Sequence, residues 1–201
     1  MITVAVEGDT DIPFVTKLCK SAGFAVREPL LDAGGKASLD QRMVGFAKAG
    51  HGSPHLVLRD LDEDAECAPT WLGRNAPEEV GRFFELRLAV RAVEAWFLAD
   101  AETAARCLHI ATTRIPVAPD EEKDPKLTVV NLARSSTKPR IRVGLAPLPG
   151  VKRKAGRDYE RWLLESAASW RLDRAMKRSP SLARAHSALR AMHIRWKGLS
   201  R

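Results

Sequence analysis

The sequence predicts an α/β fold, a parallel four-stranded sheet flanked by helices, with a helical and basic C-terminal extension. Three observations predict it. Short apolar, β-branched runs alternate with helix-period segments through the first hundred residues, the pattern of βαβ crossovers. Acidic residues stand just after the first and third apolar runs. Beyond Val90 the strand pattern stops and segments of helical period take over, rich in Arg and Lys.

Residues 2–6 are apolar and partly β-branched, and Glu7-Gly8 stops them, so they read as a short buried strand. Asp9-Thr10-Asp11 followed by Pro13 is a helix start, a capping group with Pro in the first turn. Phe14, Val15, Leu18 and Cys19 then share one helix face, and Gly23 closes it. Residues 24–31 are expected to form the second strand. The loop from Asp32 to Lys36 leads to a helix near 38–49 carrying Leu39, Met43 and Phe46. After the turn at His51-Gly52-Ser53-Pro54, His55 to Leu58 reads as the third strand. Asn75-Ala76-Pro77 is expected to open a helix running to about Glu85, and residues 86–90 to form the fourth strand.

The segment from Glu94 to about Cys107 looks helical. Further helices are expected near 126–134, 156–168 and 181–193, with a loop over 112–125 and an irregular connection over 135–153. The division drawn from this is an α/β core over 1–100 and a mainly helical extension over 101–201, packed on the core because bare parallel sheet faces need cover. No internal repeat is present.

Composition narrows the class. The chain has 201 residues, 45% hydrophobic and 29% charged, which excludes wholesale disorder and fibrous folds. No apolar run approaches the ~20 residues of a membrane span. The first residues lack the pattern of a signal peptide, so the expected location is cytoplasmic. Cys19, Cys67 and Cys107 are too few and too scattered for a disulfide framework or a zinc site. The net charge of +8 is unevenly spread: residues 1–100 hold 11 basic and 16 acidic side chains, residues 101–201 hold 22 and 9. Such asymmetry points to a polyanionic partner; a solvated helical surface is the plain alternative.

The chemistry lies in the acids. Under the predicted topology Glu7, Asp11, Asp60 and Asp62 converge at the carboxyl edge of the sheet, where parallel sheets gather functional groups. Gathered carboxylates repel unless a cation joins them, and hard oxygen donors suit Mg²⁺ or Mn²⁺. The alternative is a capped helix at Asp9 or Asp11 and a solvated turn over Asp60 to Asp64; Glu63 and Asp64 are read as solvated in either case.

Val6-Glu7-Gly8-Asp9-Thr10-Asp11, followed by Leu58-Arg59-Asp60-Leu61-Asp62, resembles the Toprim signature. The Glu-x-x-x-Asp form looks most like the overcoming-lysogenization-defect nuclease branch. Val93 to Asp100, with its Glu-Ala-Trp-Phe-Leu-Ala-Asp run, is similar to uncharacterised Toprim-related proteins, many associated with phage defence or mobile elements. Ser179-Pro180-Ser181 also resembles that group. The Toprim likeness spans roughly residues 1–100. It implies a metal-dependent nuclease acting on DNA or RNA. Glu7 would bind metal or act as general acid or base, Asp11, Asp60 and Asp62 would bind metal, and Glu94 would be a further acid near the site. Asp60 would stand at the catalytic centre. The branch usually joins Toprim to an ABC-type ATPase. No phosphate-loop motif occurs here, so such an ATPase would be a separate partner.

Phosphate-side candidates are Lys36, after a Gly-Gly turn, and the cluster Lys152, Arg153, Lys154 with Arg157. Each has a surface loop as its alternative. Trp96, Trp162 and Trp170 read as core, Trp71 and Trp196 as exposed. The five histidines show no metal spacing. Two rival classes remain: a non-catalytic nucleic-acid or partner-binding module, with oligomerisation open, and a dehalogenase-like phosphatase using Asp60 as nucleophile. The latter fold normally carries its Asp-x-Asp on the first strand, not the third.

Overall fold

The alternation of apolar runs and helices in the first ninety residues builds a parallel sheet. In the computed structural model, which describes residues 1–148 and 150–199, β1 spans Thr3–Val6, α1 Ile12–Ser21, β2 Leu31–Asp32, α2 Lys36–Ala49, β3 His55–Asp60, α3 Ala68–Asn75 and β4 Phe84–Ala89. The strands run in the order β2-β1-β3-β4, all parallel. Val4, Ala5 and Val6 of β1 are all buried, as are Leu56, Val57 and Leu58 of β3. Burial of successive residues means that both sheet faces are covered. Beside Ala5, Val57 and Leu88, the helices α2 and α3 contribute Leu39, Met43, Ala47 and Trp71.

Three expectations are corrected. The second strand is reduced to Leu31–Asp32, with Val26 making a single bridge to Ile2. Pro29 has no N–H to give a ladder, which suits an edge segment that starts late. No helix opens at Asn75; α3 ends there, and the Asn75 side-chain Nδ2 donates back to the Trp71 carbonyl at 2.9 Å. Pro69 sits in the first turn of α3, and Pro77 follows its end, the usual Pro positions at both helix ends. Trp71 is buried, not exposed.

Two compact units divide the chain: Met1–Val90 together with Ser181–Arg201, and Arg91–Pro180. The boundary expected at residue 100 therefore lies at 90, and residues 181–199 join the α/β unit. The second unit holds α4 (Val93–Ala99), α5 (Ala101–Leu108), α6 (Pro125–Arg134), α7 (Pro139–Leu145), α8 (Tyr159–Ala167) and the short α9 (Leu172–Ala175). Helix α7 lies within the stretch expected to be irregular. Pro139 takes its first position, and Ile141 and Leu145 are the buried residues that anchor it.

Helix α10 (Pro180–Gly198) returns to the first unit. Leu182, Ala185, Leu189 and Met192 form its buried stripe, at helical spacing. His193 lies over Gly23 and packs edge-on to Phe24 at 4.8 Å, while Trp196 packs edge-on to Phe83 at 4.9 Å. Gly23, at φ +101°, closes α1 as expected, and a Cβ there would meet the His193 ring at 2.5 Å.

Candidate functional site

Pairing of β1 with β3, Ala5 beside Val57, sets the ends of the two strands side by side. The Glu7 side chain crosses to β3, where its Oε1 accepts the Asp60 amide N–H at 2.8 Å. The two residues placed after separate strands by sequence are thus brought together. Burial raises the Glu7 carboxyl above its ordinary value; the Asp60 amide, Lys36 and Arg59 pull it down without cancelling that rise, and Asp62 adds to it.

The Gly-Gly turn places Lys36. Gly34 and Gly35 have φ of +71° and +117°, conformations that suit glycine. The Gly35 amide donates to the Glu7 carbonyl at 2.8 Å, and the Gly34 amide donates to Asp32 Oδ1 at 2.8 Å. This pins the turn at the end of β1. Lys36, first residue of α2, then pairs with Asp62 and with Asp64, the latter at 3.0 Å. Asp62 is in the left-handed region at φ +47°, an arrangement that Asp tolerates better than most residues.

Asp64 is not merely solvated. Burial would raise its carboxyl, but Arg59 at 2.7 Å and Lys36 outweigh that and hold it below its ordinary value. Arg59 is the residue sequence reasoning missed. It is 3% exposed, pairs with Asp40 at 2.8 Å, donates to the Asp60 carbonyl at 2.7 Å and lies 4.2 Å over the Trp71 ring. An arginine inside the apolar run His55 to Asp60 was itself the signal, since a buried guanidinium needs carboxylate partners.

Asp11 accepts the Gly8 amide at 3.2 Å and so closes the turn ahead of α1. Among the described residues, no three Asp, Glu, His or Cys side chains are gathered closely enough to hold a metal ion as they stand. Glu7 and Asp60 are adjacent, while Asp62 is engaged by Lys36.

Glu94 belongs to the second unit. It is buried in the first turn of α4, and its Oε1 accepts the Tyr159 hydroxyl at 3.2 Å. Other residues of its motif build the same unit. The Trp96 carbonyl accepts the Trp170 indole N–H at 2.8 Å. Asp100, fully buried, accepts the Arg171 amide at 2.8 Å and pairs with Arg174 at 2.8 Å. Trp96, Trp162 and Trp170 are core, as expected.

The basic candidates are also in the second unit. Lys154 pairs with Asp124 at 2.8 Å. Lys152, Arg153 and Arg157 are exposed, with no carboxylate partner among the described residues. Cys19 is buried, which pushes its thiol up to about 12. Among the described residues no helix is long and apolar enough to cross a membrane.

No family model, no curated protein and no solved structure matches the chain.

Proposed function

We propose that the protein is a Mg²⁺- or Mn²⁺-dependent Toprim-type nuclease that hydrolyses phosphodiester bonds in DNA or RNA. The observation that carries this reading is the contact between Glu7 and Asp60 across the ends of β1 and β3. Their hard oxygen donors fit such a cation in chemistry. Glu7, Asp11, Asp60 and Asp62 would hold it, Asp11 standing four residues after Glu7, and it would supply charge neutralisation and an acidified water. Asp62 would have to leave Lys36 to take part.

Alternatively, with the cation held by the aspartates, Glu7, raised by burial, would exchange a proton with water or a leaving oxygen. Lys36, the first residue of α2, would meet a phosphate on leaving Asp62 and Asp64. Arg59, paired to Asp40 and Asp64, holds the end of β3 in position. The role of Glu94, a separate ATPase partner and a place in phage defence or mobile-element biology rest on the resemblance alone, and a cytoplasmic location on the first residues' lack of a signal-peptide pattern.

A non-catalytic nucleic-acid or partner-binding module is the second reading. The pairing of Lys36 with Asp62 and Asp64 favours it, since an internal cation already neutralises those carboxylates.

Cleavage of plasmid, linear duplex and single-stranded DNA and RNA separates the two. In Mg²⁺ or Mn²⁺ the wild type is expected to cut, and EDTA or the double variant Asp60→Ala/Asp62→Ala to abolish cutting while the melting transition is kept. Cutting that persists in that variant overturns the assignment. A folded wild type that binds nucleic acid equally with and without Mg²⁺, and cuts nothing, supports the binding module.

A further inference from the structure

We propose that the second unit carries a nucleotide-binding cleft between the end of α7 and the 151–158 loop, with Arg140, Arg153 and Arg157 holding the phosphate and an apolar wall taking the sugar and base. This stands apart from the nuclease reading, because it needs neither Glu7 nor a metal.

The cleft measures about 800 Å³, within the range of small-molecule sites. Its base is pinned backbone to backbone. The Gly156 amide donates to the Leu145 carbonyl at 2.8 Å, and the Asp158 amide to the Gly144 carbonyl at 3.1 Å. A Cβ on Gly156 would stand 2.2 Å from the Gly144 carbonyl oxygen, so only glycine permits the approach.

The charge is unspent. Residues 134–161 hold nine basic side chains and two acidic ones. Other cations of the unit find carboxylates: Lys154 has Asp124, Arg174 has Asp100, and Arg161 has Asp158 at 3.2 Å, the one carboxylate that lines the cleft among the described residues. Arg140, Arg153 and Arg157 line the cleft and have no carboxylate partner among the described residues. Guanidinium groups bind phosphate through paired N–H donors, so the open positions call for an anion.

The wall is apolar and open. Val143, Leu148 and Val151 line the same cleft and are 69%, 59% and 47% exposed. Large apolar side chains standing in water beside unpaired arginines fit a ligand with both a phosphate and a flat, less polar part. Inorganic phosphate would leave the wall uncovered. A long acyl chain would outrun three branched side chains. A nucleotide uses both halves, and an arginine plane also stacks on a base. Its source is a free mononucleotide or one unit of a single strand.

The test uses the full chain in EDTA, with fluorescence anisotropy of a labelled short single-stranded DNA and competition by AMP. Wild type is expected to bind. The triple variant Arg140→Ala/Arg153→Ala/Arg157→Ala, with its melting transition kept, is expected to bind at least about tenfold more weakly. Leu148→Ser/Val151→Ser, which leaves the charge untouched, is expected to weaken binding about three- to tenfold. Competition by AMP that is lost in the triple variant assigns the site to a free nucleotide. Strand binding that the triple variant loses and AMP does not compete assigns it to one unit of a strand. Absence of binding by wild type overturns the proposal. So does binding unchanged in the triple variant. Binding that needs the arginines but ignores Leu148 and Val151 overturns it too, as the mark of a diffuse basic surface.

Discussion

Burial of Glu7 sets the sign of its effect on stability. Its folded value lies above the ordinary 4.5, so the folded state holds the extra proton between the two values. Stability therefore falls as pH rises through that window, and above it the charge is a cost. Glu7→Gln keeps an oxygen for the Asp60 amide and removes the charge. In metal-free buffer at neutral pH it is expected to raise Tm by about 1–3 °C. Well below pH 4.5, where both states of the wild type are protonated, the two proteins should melt together. Melting curves in EDTA across this range check it, and a lower Tm for the variant at neutral pH would contradict it. The placement of Glu7 and Asp60 was legible in the sequence because polarity after an apolar run marks a strand end. The pairing of Asp64 was not, because the partner that holds it, Arg59, reads as part of a strand until the fold shows where its guanidinium goes.

At the level of elements, three of the four strands and most helices follow from apolar period. The misreadings fall where a short segment is decided by contacts distant in sequence. Residues 76–83 hold helix-forming acids, yet they form no helix, because Gly81 is pressed against the turn after α2. Its amide donates to the Ala47 carbonyl at 2.9 Å, and a Cβ there would stand 2.0 Å from Gly50 C and 2.1 Å from the His51 amide nitrogen. Gly81→Ala is accordingly expected to cost about 2–3 kcal/mol, read as a lower midpoint in urea with an unchanged slope. A neutral result would mean that the 50–52 turn yields. The Glu94 to Asp100 motif makes the complementary point. Its pattern was visible in sequence, but its structural work (a tyrosine held by Glu94, an indole held by the Trp96 carbonyl, two arginines held by Asp100) involves partners about seventy residues away. Local period carries no information about such pairs.

For the whole molecule, the first unit is discontinuous: the sheet residues end at Val90, and α10 supplies part of the same unit from residues 181 onward. Leu189→Ala is expected to destabilise that unit by about 3 kcal/mol. The check is hydrogen exchange, in which the amides of β1 and β3 should lose protection together with α10. Sheet amides that keep their protection while only α10 opens would contradict a single cooperative unit. The sequence alone did not reveal this, since the basic helix pattern of α10 matches its neighbours in the second half. The same layout orders events on the ribosome. The sheet strands emerge first but their unit is completed only by α10, while residues 91–180 form a unit from one contiguous stretch. The middle of the chain can thus finish folding before its beginning does. In that interval the apolar face that later receives Leu182, Leu189 and Met192 is bare, the kind of surface through which incompletely folded chains aggregate.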